Sequence, residues 1–538
     1  MISSIHRKFL ISYFKKIKIS SSLKLILLIF LSIIFEAFFI KSLQTLIVSV
    51  QELNFQVIIN NSLISLIFII TCGGLKIIQT KYYARYAAYI GKLICNDCLT
   101  GYFGNNLNTT KELNSNDLIN SITIQSNYIT RGVILASLNL ITYFFTSLGI
   151  TIVLLSSLGF STFITIIITI FLYLLIAKRN KAQLTVLSKK QVEFINNLTN
   201  QIIYLINNKK KVFLNRENIN VFKSAFKLDS EYRDFLVSTY ELAVLPKFYV
   251  EIIAIITLLG VLIILALTKD TLIISKVGLL FFGILRLLPN FQNLYYGWAQ
   301  INANTSQVDA FIKYKNSFKF RTNKEKKSIN KIEIIFKDKK LITLKKGESL
   351  CIAGKSGCGK TKLLDLICNL NNKKDFQVKF FNSTNKLIDA NHAKSEIAFV
   401  EQDVFLQDET IQNIIFNNQI KDTSKAELNF IVKTSNLEEL VQSDFWNKKT
   451  IGTSGGNLSG GQKQKVAISE AIAWNPSVIV LDEATSGIDK ISEQKIWSEL
   501  LKIDDLIIIA TTHNQDLYSR FDKIINIAER KEYNFVNN

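Results

Sequence analysis

Six long apolar runs, all lying before residue 295, constrain this chain more than any other feature. They are Leu25–Val48, Val57–Ile78, Val133–Leu155, Phe160–Ile176, Val244–Leu267 and Thr271–Leu288. Only the polar break Ser156-Ser157-Leu158-Gly159 separates the third from the fourth. A helix rising roughly 1.5 Å per residue needs about 20 apolar residues to cross ~30 Å of hydrocarbon. Six crossings are therefore available. Each must be helical, because lipid gives backbone N–H and C=O groups no partner outside the segment.

Composition agrees with a membrane chain. Hydrophobic residues are 48% of the 538 and charged residues only 20%, which excludes a disordered chain and argues against a purely soluble enzyme. With 3 Pro and 22 Gly, collagen-like and Pro-rich readings fail too. The basic N-terminus is followed by no small-residue cleavage site, so the first run reads as a retained span. His6-Arg7-Lys8 and Phe14-Lys15-Lys16-Ile17-Lys18 fit either an amphipathic segment on the membrane or a plain basic flank.

The net charge is +21, from 64 Lys+Arg against 43 Asp+Glu. Its distribution is what matters. The stretch 178–233 is dense in Lys and Arg, while the turn Ser49–Gln56 has none and the turn near Thr268 has only Lys269. The positive-inside rule then places the N-terminus, both long loops and the C-terminal half in the cytoplasm. The excess charge is thus largely topological, and nucleic acid is not an expected partner. The cysteines, Cys72, Cys95, Cys98, Cys351, Cys358 and Cys368, form no disulfide framework, which suits a reducing compartment. Cys95-Asn-Asp-Cys98 is a lone CxxC with no second pair or neighbouring His to complete a metal site.

The loops at about 81–131 and 178–243 carry periodic apolar positions and predict helices continuing out of the membrane. Phe311–Lys331 is polar and charged and reads as a linker. The expected architecture is a membrane α-helical bundle over residues 1–318, followed by an α/β P-loop NTPase domain over 319–538.

The second half carries the chemistry. Leu350-Cys351-Ile352-Ala353 has the pattern of a buried strand. Gly354-Lys355-Ser356-Gly357-Cys358-Gly359-Lys360-Thr361 follows, and then the helical run Leu363-Leu364-Asp365-Leu366-Ile367. This is GxxxxGKT between strand and helix. The glycines let backbone amides close round phosphate oxygens at a helix N-terminus. Lys360 is placed to reach the β- and γ-phosphates of ATP, and the Thr361 hydroxyl to ligate Mg²⁺. Val478-Ile479-Val480-Leu481-Asp482-Glu483 is a buried-strand pattern ending in two carboxylates. Asp482 suits the Mg²⁺ shell, and Glu483 suits polarising an attacking water. Leu458-Ser459-Gly460-Gly461-Gln462 opens another helix, with Ser459 as a natural N-cap and two glycines leaving amides bare for an anion.

At this point the chain resembles an ABC transporter of the exporter half-transporter type, in which LSGGQ lies between the two phosphate-site motifs. The resemblance implies more site residues. Phe399-Val400-Glu401-Gln402-Asp403 resembles the Q-loop, so Gln402 would sense both Mg²⁺ and the membrane domain. Ser486-Gly487-Ile488-Asp489 resembles the D-loop. Ile507-Ile508-Ile509-Ala510-Thr511-Thr512-His513 resembles the strand ending in the switch histidine, so His513 would contact the γ-phosphate. ATP is then expected between Gly354–Thr361 of one chain and Ser459, Gly460, Gly461 and Gln462 of a second half-transporter, as a homodimer. Departures from the family pattern are Lys362 after the P-loop, Glu470 in place of a common Arg and Thr453 where a Glu often stands. Phe336 is the sole candidate for stacking on adenine.

The implied function is an ATP-driven exporter or flippase in the inner membrane, with its nucleotide-binding domain cytoplasmic. Peptide export, or a nucleotide-gated regulator without net pumping, are the competing readings. The strings 245–251 and 286–291 resemble segments of the lipid-linked oligosaccharide flippase group, which makes an amphiphilic or lipid-linked glycan the expected cargo and membrane lipid an expected partner. Coupling turns are expected around 114–118 and 211–216. Glu36, Glu251 and Arg286 are ionisable residues inside or bordering apolar spans, and Lys247 and Glu251 are spaced to pair on one helix face.

Overall fold

The structure is a computed structural model that describes residues 4–17, 19–52, 54–103, 115–158, 160–208, 214, 219–267, 273–316, 328–336, 341–370, 376–416, 424–527 and 533–537. It divides into two compact units, one taking in Met1–Asn105 and Glu112–Phe320 and the other Arg321–Asn538.

The first unit is helical among its described residues. A short helix α1 (Ser4–Lys15) precedes α2 (Ile19–Gln51) and α3 (Phe55–Phe103). Next comes α4 (Ser115–Asn120), which widens into π-helical turns at Ser121–Gln125 and Ile129–Leu135 before α5 (Ala136–Leu158). Then follow α6 (Phe160–Asn207), α7 (Ile219–Leu267), α8 (Ile273–Ala303) and α9 (Thr305–Asn316). Helices α3, α6 and α7 hold 49, 48 and 49 residues. At 1.5 Å per residue that is about 72 Å, more than twice the bilayer's hydrocarbon. The predicted loops are thus largely continuations of the spanning helices.

Among the described residues, four helical stretches are long and apolar enough to cross a membrane: Ile19–Gln51, Phe55–Phe103, Asn116–Ser157 and Val277–Ala303. The runs Phe160–Ile176 and Val244–Leu267 lie within α6 and α7. In α3 only 11% of the most apolar window is buried. Ile59, Leu63, Ile67 and Ile70 are all exposed along it. A continuous apolar surface of this kind calls for lipid rather than water.

Charges within this bundle are paired. The Glu36 carboxylate on α2 is 3% exposed and lies 2.5 Å from Lys76 Nζ and 3.8 Å from Arg286 Nη1. Neither of its oxygens makes an aligned hydrogen bond, so charge attraction rather than directional bonding holds this group. The Arg286 guanidinium also stacks on Phe39, 4.6 Å from the ring centre. The expected Lys247–Glu251 pair is not among the ion pairs of the described residues; the Lys247 ammonium lies over the Phe248 ring at 5.7 Å. Helix α1 turns Phe9 and Tyr13 inward. Tyr13 donates to Asp97 at 2.8 Å, and Lys16 and Lys315 pair with the same carboxylate at 2.8 and 3.2 Å. Of the expected coupling turns, residue 114 and most of 211–216 lie outside the described residues. Asn120 just beyond the first of them donates to Asn196 on α6 at 2.8 Å.

The second unit contains two sheets. A four-stranded antiparallel sheet has the order β2-β1-β4-β5, with β1 Lys331–Phe336, β2 Leu341–Lys345, β4 Phe376–Phe381 and β5 Leu387–Ile388. A six-stranded sheet has the order β10-β9-β3-β8-β7-β6. Its strands are β3 Ser349–Gly354, β6 Ile397–Val400, β7 Val478–Asp482, β8 Ile507–Thr511, β9 Lys523–Ile527 and β10 Tyr533–Asn537. All neighbours in this sheet run parallel except β10 against β9. Every residue of β7 and β8 is buried, as a parallel sheet covered on both faces requires. Its C-terminal strand ends deliver the functional residues: β3 ends at Gly354, β7 at Asp482 and β8 two residues before His513.

Candidate nucleotide site

The turn from β3 into α10 (Lys360–Ile367) carries all the predicted phosphate-binding residues. Gly354 has φ +153°, and a Cβ there would lie 2.7 Å from Cys358 Sγ and 3.2 Å from Ile527 O. No side chain fits, so the chain can fold tightly back on itself. Ser356 and Gly357 are exposed at the tip, Cys358 is half-buried and Gly359 caps α10. Thr361 is exposed on the first turn of that helix, and so is Lys362.

Lys360 is the centre of the site. It is 5% exposed, and its ammonium donates to Gly354 O at 3.0 Å. It lies 3.1 Å from Glu483 Oε1 and 3.3 Å from His513 Nε2. His513 Nε2 in turn lies 2.7 Å from Glu483 Oε1. Residues 360, 483 and 513, more than 150 positions apart at the extremes, thus converge on one point. Glu483 itself has φ +49°, a left-handed conformation costly for a side chain with a Cβ. Its amide is fixed by Thr511, donating to the Oγ1 at 2.9 Å and to the carbonyl at 3.2 Å. Thr511 Oγ1 also donates to Asp482 Oδ1 at 2.7 Å. One buried hydroxyl therefore aims both carboxylate residues.

Beyond α11 (Ile411–Phe416) and α12 (Lys425–Thr434), Ser459 caps α13 (Gly460–Ala473) through a reciprocal pair: its Oγ accepts from the Gln462 amide at 3.2 Å, and the Gln462 side chain accepts from the Ser459 amide at 2.9 Å. The two glycines differ in role. Nothing lies within 4 Å of a Cβ built on Gly460, whereas one on Gly461 would sit 2.6 Å from Gly487 O. Gly461 is required where α13 meets the turn Ser486–Asp489, and the Gly487 amide donates to Gln464 Oε1 there at 2.8 Å. Among the described residues no hydrogen bond or ion pair joins Ser459–Gln462 to Lys360 or Glu483. Gln402, in the turn after β6, is exposed and likewise apart from that cluster.

Some expectations change. Phe336 is 4% exposed and stands edge-on to Phe376 at 5.3 Å, so it packs in the core of the small sheet instead of offering a face for stacking. Glu470 is half-buried on α13, and burial pushes its carboxyl above the usual range. Cys95 donates to Ile122 O at 3.8 Å while Cys98 is buried beside it, both as free thiols.

Two contributors were missed in the sequence. Thr511 is one. The other is Glu493, a buried carboxylate on α14 (Lys490–Leu500) that accepts from Thr485 Oγ1 at 2.7 Å and from Asn514 Nδ2 at 3.0 Å. It ties the turn after Glu483 to the turn after His513. Thr511 lies in the strand segment read for His513 and Glu493 in no motif, and nothing in either local sequence marks the role of its side chain.

Residues 338–486 match the ABC transporter family. Those residues of the C-terminal unit form an ABC transporter domain. Its relatives include the heterocyst differentiation ATP-binding protein HepA of Nostoc sp., 26% identical over 296 residues, which are 50% of this chain and 47% of the relative. They also include the ATP-dependent lipid A-core flippase of Francisella tularensis, 32% identical over 189 residues, or 34% of this chain and 30% of the flippase. These matches span less than half the length of either relative. The whole chain, outside this domain as well as within it, has the fold of a bacterial Atm1-family ABC exporter solved with ATP bound. That likeness has a TM-score of 0.78 at 14% identity and covers 94% of this chain and 93% of the exporter. The ABC transporter domain of this chain thus follows an apolar helical region that shares the fold of that structure.

Proposed function

We propose that this chain is a half-transporter that pairs with a second copy and uses ATP hydrolysis to move an amphiphile across the inner membrane. Residues 1–318 would form the membrane domain and residues 319–538 the cytoplasmic nucleotide-binding domain. The observation that carries this reading is the convergence of Lys360, Glu483 and His513 at the C-terminal edge of the large sheet.

In this reading the amides of Gly354–Thr361 and the N-terminus of α10 hold the phosphates, and Lys360, which pairs with Glu483 beside His513 in this structure, would neutralise the phosphate oxygens. Glu483 orients and polarises the attacking water, and His513 donates to the γ-phosphate. The Thr361 hydroxyl, the Gln402 side-chain carbonyl and Asp482 form an all-oxygen donor set of the kind Mg²⁺ prefers. That fit has a structural mark: Thr511 occupies Oδ1 of Asp482 and so orients the carboxylate. Bound Mg²⁺ would neutralise charge on the phosphates.

The partner copy's equivalent of Ser459–Gln462 would close over the nucleotide, since among the described residues these make no hydrogen bond or ion pair with Lys360 in their own chain. Clamping would then favour the closed dimer only while the γ-phosphate is present, which is how binding energy shifts a conformational equilibrium. The test is phosphate release by the full chain in lipid nanodiscs with ATP and Mg²⁺. Wild type should turn over, and Glu483→Gln should lose turnover by at least about a hundredfold while still binding ATP. An inert wild type, or a fully active Glu483→Gln, overturns the reading.

A further inference from the structure

The ladder between β7 and β8 ends at the pair Asp482–Thr511. Beyond it the two side chains assigned to catalysis stand on separate segments, Glu483 directly after β7 and His513 two residues after β8. Thr511 holds the Asp482 side chain and the Glu483 amide, but among the described residues no hydrogen bond from it reaches His513. The His513 side chain is 48% exposed, so burial does not fix where its ring lies. Its Nε2 nevertheless meets Glu483 Oε1 at 2.7 Å, a contact that needs the two segments held at a set separation.

Glu493 supplies that separation. The residue is 7% exposed on α14. One carboxylate oxygen accepts from Thr485 Oγ1 at 2.7 Å, and the other accepts from Asn514 Nδ2 at 3.0 Å. Thr485 lies two residues after Glu483, and Asn514 directly follows His513. Both partners are themselves fixed. Thr485 is 3% exposed, and its Oγ1 also accepts from Trp497 Nε1 at 3.3 Å. Asn514 Oδ1 accepts from the Asp516 amide at 3.1 Å, which leaves its NH₂ group to face Glu493. Among the described residues no cation pairs with Glu493, so two neutral donors hold a buried carboxylate. That is a poor source of stability, because burying a charge is costly unless an opposite charge meets it. It is a good spacer, because both oxygens belong to one planar group and each accepts a hydrogen bond.

We infer that Glu493 is a positioning residue for ATP hydrolysis, setting His513 against Glu483 through Asn514 on one side and Thr485 on the other. The inference rests on the ATPase reading above and adds a residue to it. Without the strut, the segment 512–514 is free to carry the His513 ring away from Glu483. A displacement of about 1 Å near reacting groups can cost about a hundredfold in rate. The phosphate turn Gly354–Thr361 keeps its own contacts, among them Lys360 Nζ to Gly354 O at 3.0 Å. The loss therefore falls on kcat and spares ATP binding.

The experiment is steady-state phosphate release by the full chain in nanodiscs, with kcat and KM for ATP measured separately. Glu493→Ala should lower kcat at least about tenfold and leave KM within about twofold of wild type. Action through His513 is tested by a double-mutant cycle. Adding Glu493→Ala to His513→Ala should slow the residual turnover by no more than about twofold, whereas independent effects would multiply. Asn514→Asp sets a second carboxylate against Glu493 and should lower kcat in the same way. Adding Glu493→Gln to Asn514→Asp supplies an N–H donor to the new carboxylate and should restore kcat to within about threefold of wild type. This exchanged pair serves if Glu493→Ala fails to fold. Wild-type kcat in Glu493→Ala, a raised KM at unchanged kcat, a full tenfold loss on top of His513→Ala, or an Asn514→Asp defect that Glu493→Gln leaves uncorrected overturns the proposal. An inert wild type overturns the ATPase reading and this one together; an active wild type with any of those results overturns this one alone.

Discussion

Replacing Thr511 by Val removes one hydroxyl, keeps the residue's shape and retains the β-branching that β8 favours. The hydroxyl sits on a residue 1% exposed and donates to Asp482 Oδ1 at 2.7 Å while accepting from the Glu483 amide at 2.9 Å. The Glu483 amide keeps a second acceptor, the Thr511 carbonyl at 3.2 Å, so the main loss is the bond to the carboxylate. A hydrogen bond to a charged group contributes about 2 kcal/mol. For a domain of this size that lowers Tm by roughly 4–8 °C. Thr511→Ser keeps the hydroxyl and loses one buried methyl, about 1 kcal/mol, or roughly half that shift. The two variants separate more clearly in activity. The Val variant loses the bond that aims Asp482 and one of the two that hold the Glu483 amide, and should release phosphate about tenfold or more slower, whereas the Ser variant should stay within about twofold of wild type. Differential scanning fluorimetry and phosphate release on the full chain read both quantities. If Thr511→Val matches Thr511→Ser in rate, the hydroxyl does not position Asp482 and Glu483, and the reasoning fails.

Three further outcomes follow from the same geometry. Burial pushes the Glu470 carboxyl up, so its folded-state value exceeds its unfolded one and the penalty for ionising it grows as pH rises through that folded value. Glu470→Gln should therefore match wild type in Tm below about pH 4 and exceed it near neutrality, and equal Tm values at both pH values would refute the assignment. Burial likewise pushes the Cys351 and Cys368 thiols up to about 12, while Cys358 is half-buried in the phosphate turn. Within this domain, N-ethylmaleimide followed by peptide mapping should mark Cys358 first, with ATP protecting it; equally rapid labelling of Cys351 would contradict this. Ser459→Ala removes the cap of α13 and should cost about 1 kcal/mol, while Ser459→Asp should restore most of the lost Tm.

Much of this architecture was legible because its causes are local. The apolar runs had to become helices, and the phosphate turn had to lie between a buried strand and a helix. The capping role of Ser459 was readable from one side chain and its position. Features set by distant contacts were not. Thr511 and Glu493 act through partners 29 and 21 residues away, and nothing in their neighbourhood distinguishes them from ordinary strand and helix residues. Phe336 misled because an aromatic at the right place in the chain is equally at home in a core, where Phe376 holds it. The π-helical turns before α5 depend on packing rather than propensity.

The meeting of Gly461 with Gly487 has a consequence for how this chain can change over generations. Any heavier residue at 461 would drive into a carbonyl 2.6 Å away and wedge α13 off the turn behind Glu483. A neighbouring mutation cannot relieve that collision by shrinking, because the obstacle is main chain, which every substitution retains. The position is frozen by backbone rather than by chemistry.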